Sequence, residues 1–249
     1  MKKAFYWKSV FVAVALLVLL AWLIVMLVGL PVAVGQEKKL PIYSVATDEK
    51  RLSISFDAAW GNEHTTPLLD ILDQYGIKTT FFLVDFWAKK YPEDVKTIAA
   101  RGHEVENHSA THPDMTKLTK DQIEKELDIT ANTIKELTGV YPTLFRPPFG
   151  AYNNNLIEIS ESKGYKVIQW SVDSLDWKDI SADEIVKRVL DNVEPGSIVL
   201  FHNNAERIEE YLPTILEGLQ TQGYKVVPVG DLIYKENYHI DHTGKQIKD

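Results

Sequence analysis

Between Leu52 and Val229, short apolar, β-branched or aromatic runs alternate with segments of helical period, and this alternation constrains the fold more than any other feature. The strand-like runs are Leu52–Phe56, Thr79–Val84, Glu104–His108, Leu144–Arg146, Lys166–Val172, Ile198–His202 and Lys225–Val229. Helices are expected over Thr65–Tyr75, Pro92–Arg101, Thr119–Leu137, Asn153–Lys163, Ala182–Asn192 and Ile208–Gln222. Thr119 and Gln122 form a capping box at the head of the third helix, and Gly139 follows its end, where a left-handed residue belongs. Strands that alternate with helices give a parallel sheet wrapped by helices. The expected fold is α/β, a distorted (β/α)7 barrel, with an open doubly wound sheet as the alternative.

The N-terminus is of another kind. Lys2, Lys3 and Lys8 precede a run without charge from Ser9 to Gly35, almost wholly apolar from Val10 to Leu30. About 20 apolar residues cross a bilayer as a helix, whereas a secretory apolar region is usually about 7–15 long. The expectation is a cytoplasmic basic tail (1–8), a transmembrane signal-anchor (9–35), a linker (36–50), a folded domain (51–235) and a polar tail (236–249). The lysines keep the N-terminus cytoplasmic and place the domain outside the cell membrane as a single-pass protein, or secreted if the small residues near Val34 are cut. Gly29 and Gly35 lack the GxxxG spacing of a helix-dimer motif.

Charge and cysteine content narrow the chemistry. The chain carries −8 overall, and beyond residue 35 it has 24 Lys and Arg against 35 Asp and Glu, a net of −11. Nucleic acid, which needs a basic face, is excluded as a partner. There is no cysteine, hence no thiolate nucleophile, disulfide or thiolate metal site. Neither GxGxxG nor GxxxxGK[ST] is present to cradle a nucleotide phosphate.

Reactive side chains gather at the C-terminal ends of the expected strands: Asp57, His108 with His112, Arg146, Asp173 with Asp176, and His202. That rim is where α/β barrels place catalysis. His108 and His112, at i and i+4, can face one ion on a single turn, and imidazole suits zinc and its neighbours. Asp57 is a candidate general base. Arg146 can grip a carboxylate, and the prolines at 147 and 148 leave the Phe149 N–H as the next donor, available to an oxyanion. His202 ends an apolar strand and has a candidate orienting acid nearby. Asp57 and Asp176 could alternatively be the two carboxylates of a glycoside hydrolase.

The ordered motifs resemble the polysaccharide deacetylase family, the NodB-homology or carbohydrate esterase family 4 domain. His108-Ser109-Ala110-Thr111-His112, Arg146-Pro147-Pro148-Phe149, Asp173 to Trp177 and Leu200-Phe201-His202 match its motifs; Ser55-Phe56-Asp57-Ala58-Ala59 matches its Thr-Phe-Asp-Asp-Gly in part. The resemblance implies N-deacetylation of a cell-wall glycan, peptidoglycan or a chitooligosaccharide. Asp57 would be the base, oriented by Arg146, with His108 and His112 on a divalent metal: zinc, or alternatively cobalt or nickel. Phe149 would give its N–H to the oxyanion, and His202, tuned by Asp176, would be the acid. Trp177, Trp60 and Asp173 would contact sugar. The departure is Ala58, where the family has its third metal ligand. Asp57, Glu63, His64, Glu106 or Asn107 would have to substitute, or the protein is a non-catalytic wall-binding or spore-morphogenesis protein. Ala58-Ala59-Trp60-Gly61 resembles the membrane-anchored sporulation branch of the family.

Overall fold

The computed structural model describes residues 2–28, 37–178 and 180–249, with side chains of the first segment described over 10–26. The chain divides into two units, residues 1–37 and 38–249. The first holds one helix, α1 (Lys2–Val28), whose side chains from Val10 to Met26 are all exposed. Among the described residues no helix is long and apolar enough to cross a membrane. The expected span over 9–35 is thus a helix for most of its length, and its last residues lie outside the described ones.

The second unit is built on β2 (Arg51–Ala58), β3 (Thr80–Leu83), β4 (Glu104–Asn107), β5 (Leu144–Phe145), β6 (Lys166–Val167), β7 (Val172–Asp173) and β8 (Ile198–His202). They form one parallel sheet of order β6-β5-β4-β3-β2-β8-β7, and β9 (Lys225–Val226) pairs with the start of β2. The sheet curls into a half-barrel, in keeping with the expected fold. Helices α2 (Thr65–Gln74), α3 (Asp85–Lys90), α4 (Pro92–Ala100), α5 (Lys120–Thr138), α6 (Asn154–Ser162), α7 (Ala182–Leu190) and α8 (Ile208–Thr221) connect the strands. Alternation along β2 explains the layering. Leu52, Ile54, Phe56 and Ala58 join the large apolar cluster with α2, α7 and α8, while Ser53, Ser55 and Asp57 fall on the other side. Phe56 stacks between Phe81 and Phe201 at 5.2 and 5.6 Å. Inside the curl, Phe82, Leu144, Ile168 and Ile198 pack on α9 (Val229–Leu232). The capping box of α5 and the left-handed Gly139 are present as expected.

Three expectations need correction. The run Lys166–Val172 is two short strands on opposite edges of the sheet, because the chain changes partners between them: Gln169 N–H donates to Ile42 and Ser171 N–H to Ile198. The linker is not slack, since Ile42 bridges to Ile168, just after β6, and β1 (Ser44–Val45) touches Ser197, just before β8. The polar tail is a hairpin, β10 (Tyr238–Ile240) and β11 (Lys245–Lys248), and β11 pairs in parallel with β1. Its polar side chains hid it, because the only side chain its two strands bury is that of Gln246.

One buried acid inside the curl has no part in the rim. Glu106 accepts from the Thr143 and Leu144 N–H groups at 2.8 and 2.7 Å, where β5 begins. Burial pushes its carboxyl up to about 8, from an ordinary 4.5. A carboxyl raised in the folded state contributes stability below its unfolded value and loses it as pH rises through about 8. Glu106→Gln should therefore be more stable than the natural chain at pH 8 but not at pH 4.5, the melting temperature gaining roughly 2–4 °C per kcal/mol recovered. Thermal melts of both proteins at the two pH values check this; an equal difference at both contradicts it.

Candidate active site

Each reactive side chain is placed by the end of a parallel strand. Asp57 lies near the end of β2, His108 just after β4, Arg146 just after β5 and His202 at the end of β8. Arg146 is fully buried, and its guanidinium donates to Asp57 Oδ1 at 2.7 Å, to Ser55 Oγ at 2.9 Å and to the Gln169 carbonyl at 3.3 Å. Its carbon centre sits 4.1 Å over the Phe82 ring. The expected orienting role of Arg146 thus has the right contacts. Burial alone would raise Asp57, but the charges of Arg146, His108 and His202 and the Arg146 hydrogen bond hold it below the usual carboxylate range.

The histidine pair is not on a helical turn. Residues 108–112 form a tight loop with Ser109 and His112 in the left-handed region, at φ 73° and 56°. Glu126 of α5 pins this loop, accepting from the Ala110 and Thr111 N–H groups at 2.9 and 2.8 Å and from the Thr111 hydroxyl. Sequence reasoning missed Glu126, which on its own helix reads as a solvated acid. The imidazoles meet edge to face, centroids 5.0 Å apart. Burial lowers both; His112 falls to about 4, with His108 adding repulsion. His108 Nδ1 is 2.7 Å from the Arg146 carbonyl, which only accepts, so Nδ1 carries the proton and Nε2 the lone pair.

That tautomer suits a metal ligand. His108 Nε2 and Asp57 Oδ2 are 3.5 Å apart. Two ligands of one tetrahedral ion, with bonds of about 2.0–2.1 Å, stand roughly 3.3–3.4 Å apart. Two neutral imidazoles and a carboxylate oxygen are the right donor types, although among the described residues no three such groups already converge as a metal site. Of the proposed substitutes for the missing ligand, only Asp57 is beside His108. Glu63 accepts from the Asn62 N–H. His64 pairs with Glu209 at 3.1 Å. Glu106 is spent on β5. Asn107 donates to the Leu127 carbonyl and to Tyr165, and accepts from the Ser109 N–H. Ala58 is buried in the apolar cluster and offers no donor.

His202 Nδ1 is 2.7 Å from Asp176 Oδ1. Asp176 Oδ2 accepts from the His202 N–H at 2.8 Å and from the Tyr211 hydroxyl at 3.0 Å. Burial would lower His202, but the hydrogen bond and charge of Asp176 outweigh it and raise it. The expected Asp176–His202 pair is therefore present. Tyr211 was not foreseen, since a tyrosine at helical spacing reads as core. With Asp176 committed to three donors, the two-carboxylate glycosidase alternative loses its second acid.

Asp57, His108, His112 and His202 line a cleft of about 590 Å³ with Trp60, Phe149, Asp173 and Trp177. Phe149 turns at φ 60° and Gly150 at 66°, and a side chain on Gly150 would strike Trp170, a cleft residue that sequence reasoning passed over. Asp173 is partly spent, accepting from the Leu175 N–H. Breaking a buried ion pair from one side costs about 3–5 kcal/mol. Arg146→Ala should lose that much in denaturant unfolding, and Asp57→Asn in the same chain should recover part of it. Equal stability of Arg146→Ala and the natural chain contradicts the contact.

Comparison with known proteins identifies a family. The family model described as polysaccharide deacetylase matches residues 44–168. The chain is 34% identical to the peptidoglycan-N-acetylglucosamine deacetylase of Bacillus cereus, over 77% of this chain and 71% of that protein. It is 34% identical to the uncharacterized protein YlxY of Bacillus subtilis, covering 78% of this chain but only 60% of that one. Among solved structures, BA3943 of Bacillus anthracis, a pseudoenzyme of carbohydrate esterase family 4, superposes with a TM-score of 0.75 at 35% identity, over 77% of this chain and 68% of that chain. A mutant of that protein is described as having restored enzymatic activity. With the matched segment and the identities in agreement, the chain belongs to the polysaccharide deacetylase family.

Proposed function

We propose that this protein hydrolyses the N-acetyl group of an N-acetylhexosamine in a cell-wall glycan, peptidoglycan or a chitooligosaccharide. The observation that carries this is one cleft holding a carboxylate kept ionised by Arg146, a histidine kept protonated by Asp176, and exposed aromatic faces. Asp57 takes a proton from water through the oxygen that Arg146 does not hold. The water oxygen attacks the acetyl carbon, and the oxyanion falls to the Phe149 N–H. His202 Nε2 then protonates the amine as the C–N bond breaks, releasing acetate and a free amino sugar. Trp177, Trp60 and Asp173 position the sugar.

His108 and His112 are the groups that would hold a divalent ion, zinc or alternatively cobalt or nickel, with Asp57 as the nearest oxygen donor. When bound, such an ion supplies Lewis acidity at the acetyl carbonyl. Anchoring to the outer face of a cell membrane belongs to the same proposal. Its support is the charge-free run behind three lysines and the exposed apolar side chains from Val10 to Met26. A place in sporulation rests on the Ala58-Ala59-Trp60-Gly61 resemblance.

A non-catalytic wall-binding role is the second reading, and Ala58 with the pseudoenzyme likeness favours it. Acetate release by the full chain from N-acetylglucosamine oligomers and peptidoglycan fragments, with and without added divalent ion, decides between them. Hydrolysis that falls at least roughly 100-fold in Asp57→Asn and in His202→Ala supports the first. Glycan binding without acetate under any ion supports the second.

A further inference from the structure

The turn that carries the Phe149 N–H is strained. Phe149 and Gly150 are both left-handed, at φ 60° and 66°, and Phe149 has a Cβ, which that region disfavours. The Phe149 ring is exposed, so burial does not pin the turn at that residue. Within the turn the Gly150 N–H donates to the Pro147 carbonyl and the Ala151 N–H to the Pro148 carbonyl, each at 3.1 Å. A backbone kept in such a region needs its surroundings to fix it.

Gln169 supplies a hold from outside the turn. Its side chain is buried, and its Nε2 donates to the Gly150 carbonyl at 3.1 Å. The approach is close: a side chain on Gly150 would stand 3.2 Å from Gln169 Oε1 and 2.9 Å from the Trp170 ring. Gln169 belongs to none of the matched motifs, and it does not line the cleft. A buried amide is tolerated where it is hydrogen-bonded, and this one spends its donor on the turn.

Gln169 is itself fixed through its backbone. β6 ends at Val167, and the Ile168 N–H still donates to the Phe145 carbonyl at 2.8 Å. The Gln169 N–H then leaves the sheet for the Ile42 carbonyl at 2.8 Å, and the Gln169 carbonyl accepts from Arg146 Nη2 at 3.3 Å. Next to Ile42, the Tyr43 hydroxyl donates to that of Tyr152 at 3.1 Å, three residues past Phe149. One residue thus touches both the guanidinium that sets Asp57 and the turn that aims the Phe149 N–H.

We propose that Gln169 is a positioning residue, which holds the Phe149–Gly150 turn at a fixed place against the Arg146–Asp57 pair. The donor for the oxyanion and the base then keep one spacing, set by a side chain outside the cleft. This rests on the proposed use of the Phe149 N–H, but the hold on the turn is readable without turnover.

The test pairs amide hydrogen exchange with kinetics on full-chain Gln169→Met, which keeps the side-chain length and loses the donor. The Gly150 amide should exchange at least about tenfold faster than in the natural chain, while the Arg146 and Ile168 amides, bonded between strands, stay unchanged. With N-acetylglucosamine oligomers, kcat should fall about 10- to 100-fold while KM changes by less than about threefold. Melting temperatures report folding, and Gln169→Asn, too short to reach Gly150, should give the same pattern where methionine impairs it. An unchanged Gly150 amide, a rise shared equally by all three amides, or a loosened turn with kcat intact overturns the proposal. A loosened turn in a chain that releases no acetate, natural or variant, supports the hold and sinks the hydrolytic reading alone.

Discussion

The buried ion pair between Arg146 and Asp57 is the contact on which the rest of the site depends. It joins the ends of β5 and β2, which are not neighbours in the sheet, across the inside of the curl. The same arginine reaches Ser55 and Gln169, and its own carbonyl fixes the tautomer of His108. Asp57 in turn takes the Asn203 N–H with its backbone carbonyl, which carries the arrangement on to the residues after β8. A buried pair of this kind gains little net stability, because desolvation offsets attraction. Its value here is positional: one guanidinium sets the carboxylate and one imidazole at once.

The cleft then drives two groups in opposite directions. Asp57 is held ionised by surrounding positive charge, and His202 is held protonated by Asp176. A base and an acid with separated proton affinities in one cleft are what hydrolysis with proton delivery to a leaving group requires. Ala58 leaves Asp57 as the carboxylate nearest the two neutral imidazoles. An ion drawn to His108 and His112 would therefore compete with the proton for the oxygen that serves as base.

Much of this was legible in the chain. Alternating strand and helix periods gave the curled parallel sheet, and polar residues ending the strands marked the rim, because a parallel strand buried on both faces has no other reason to end that way. What escaped had no periodic signal. The helix α3 has only six residues, too short to show a period. The split of Lys166–Val172 and the seating of the C-terminal hairpin depend on long-range partners, Ile42 and β1. Glu126 and Tyr211 look like an ordinary helix-surface acid and a core aromatic, and only the loops they meet give them a role.

The central claim is that Asp57 accepts the proton and His202 supplies one. The dependence of kcat/KM on pH, measured on the full chain with a soluble N-acetylglucosamine oligomer, addresses it most directly. Asp57, held below the ordinary carboxylate range, gives no fall on the approach to neutrality, and His202, raised, stays charged beyond its ordinary 6.5. The account predicts a plateau through neutrality that falls on the alkaline side, at a pH above 6.5 that drops in Asp176→Asn. A rate that climbs steadily past pH 9, indifferent to Asp176→Asn, would mean attack by free hydroxide without His202 and would contradict it.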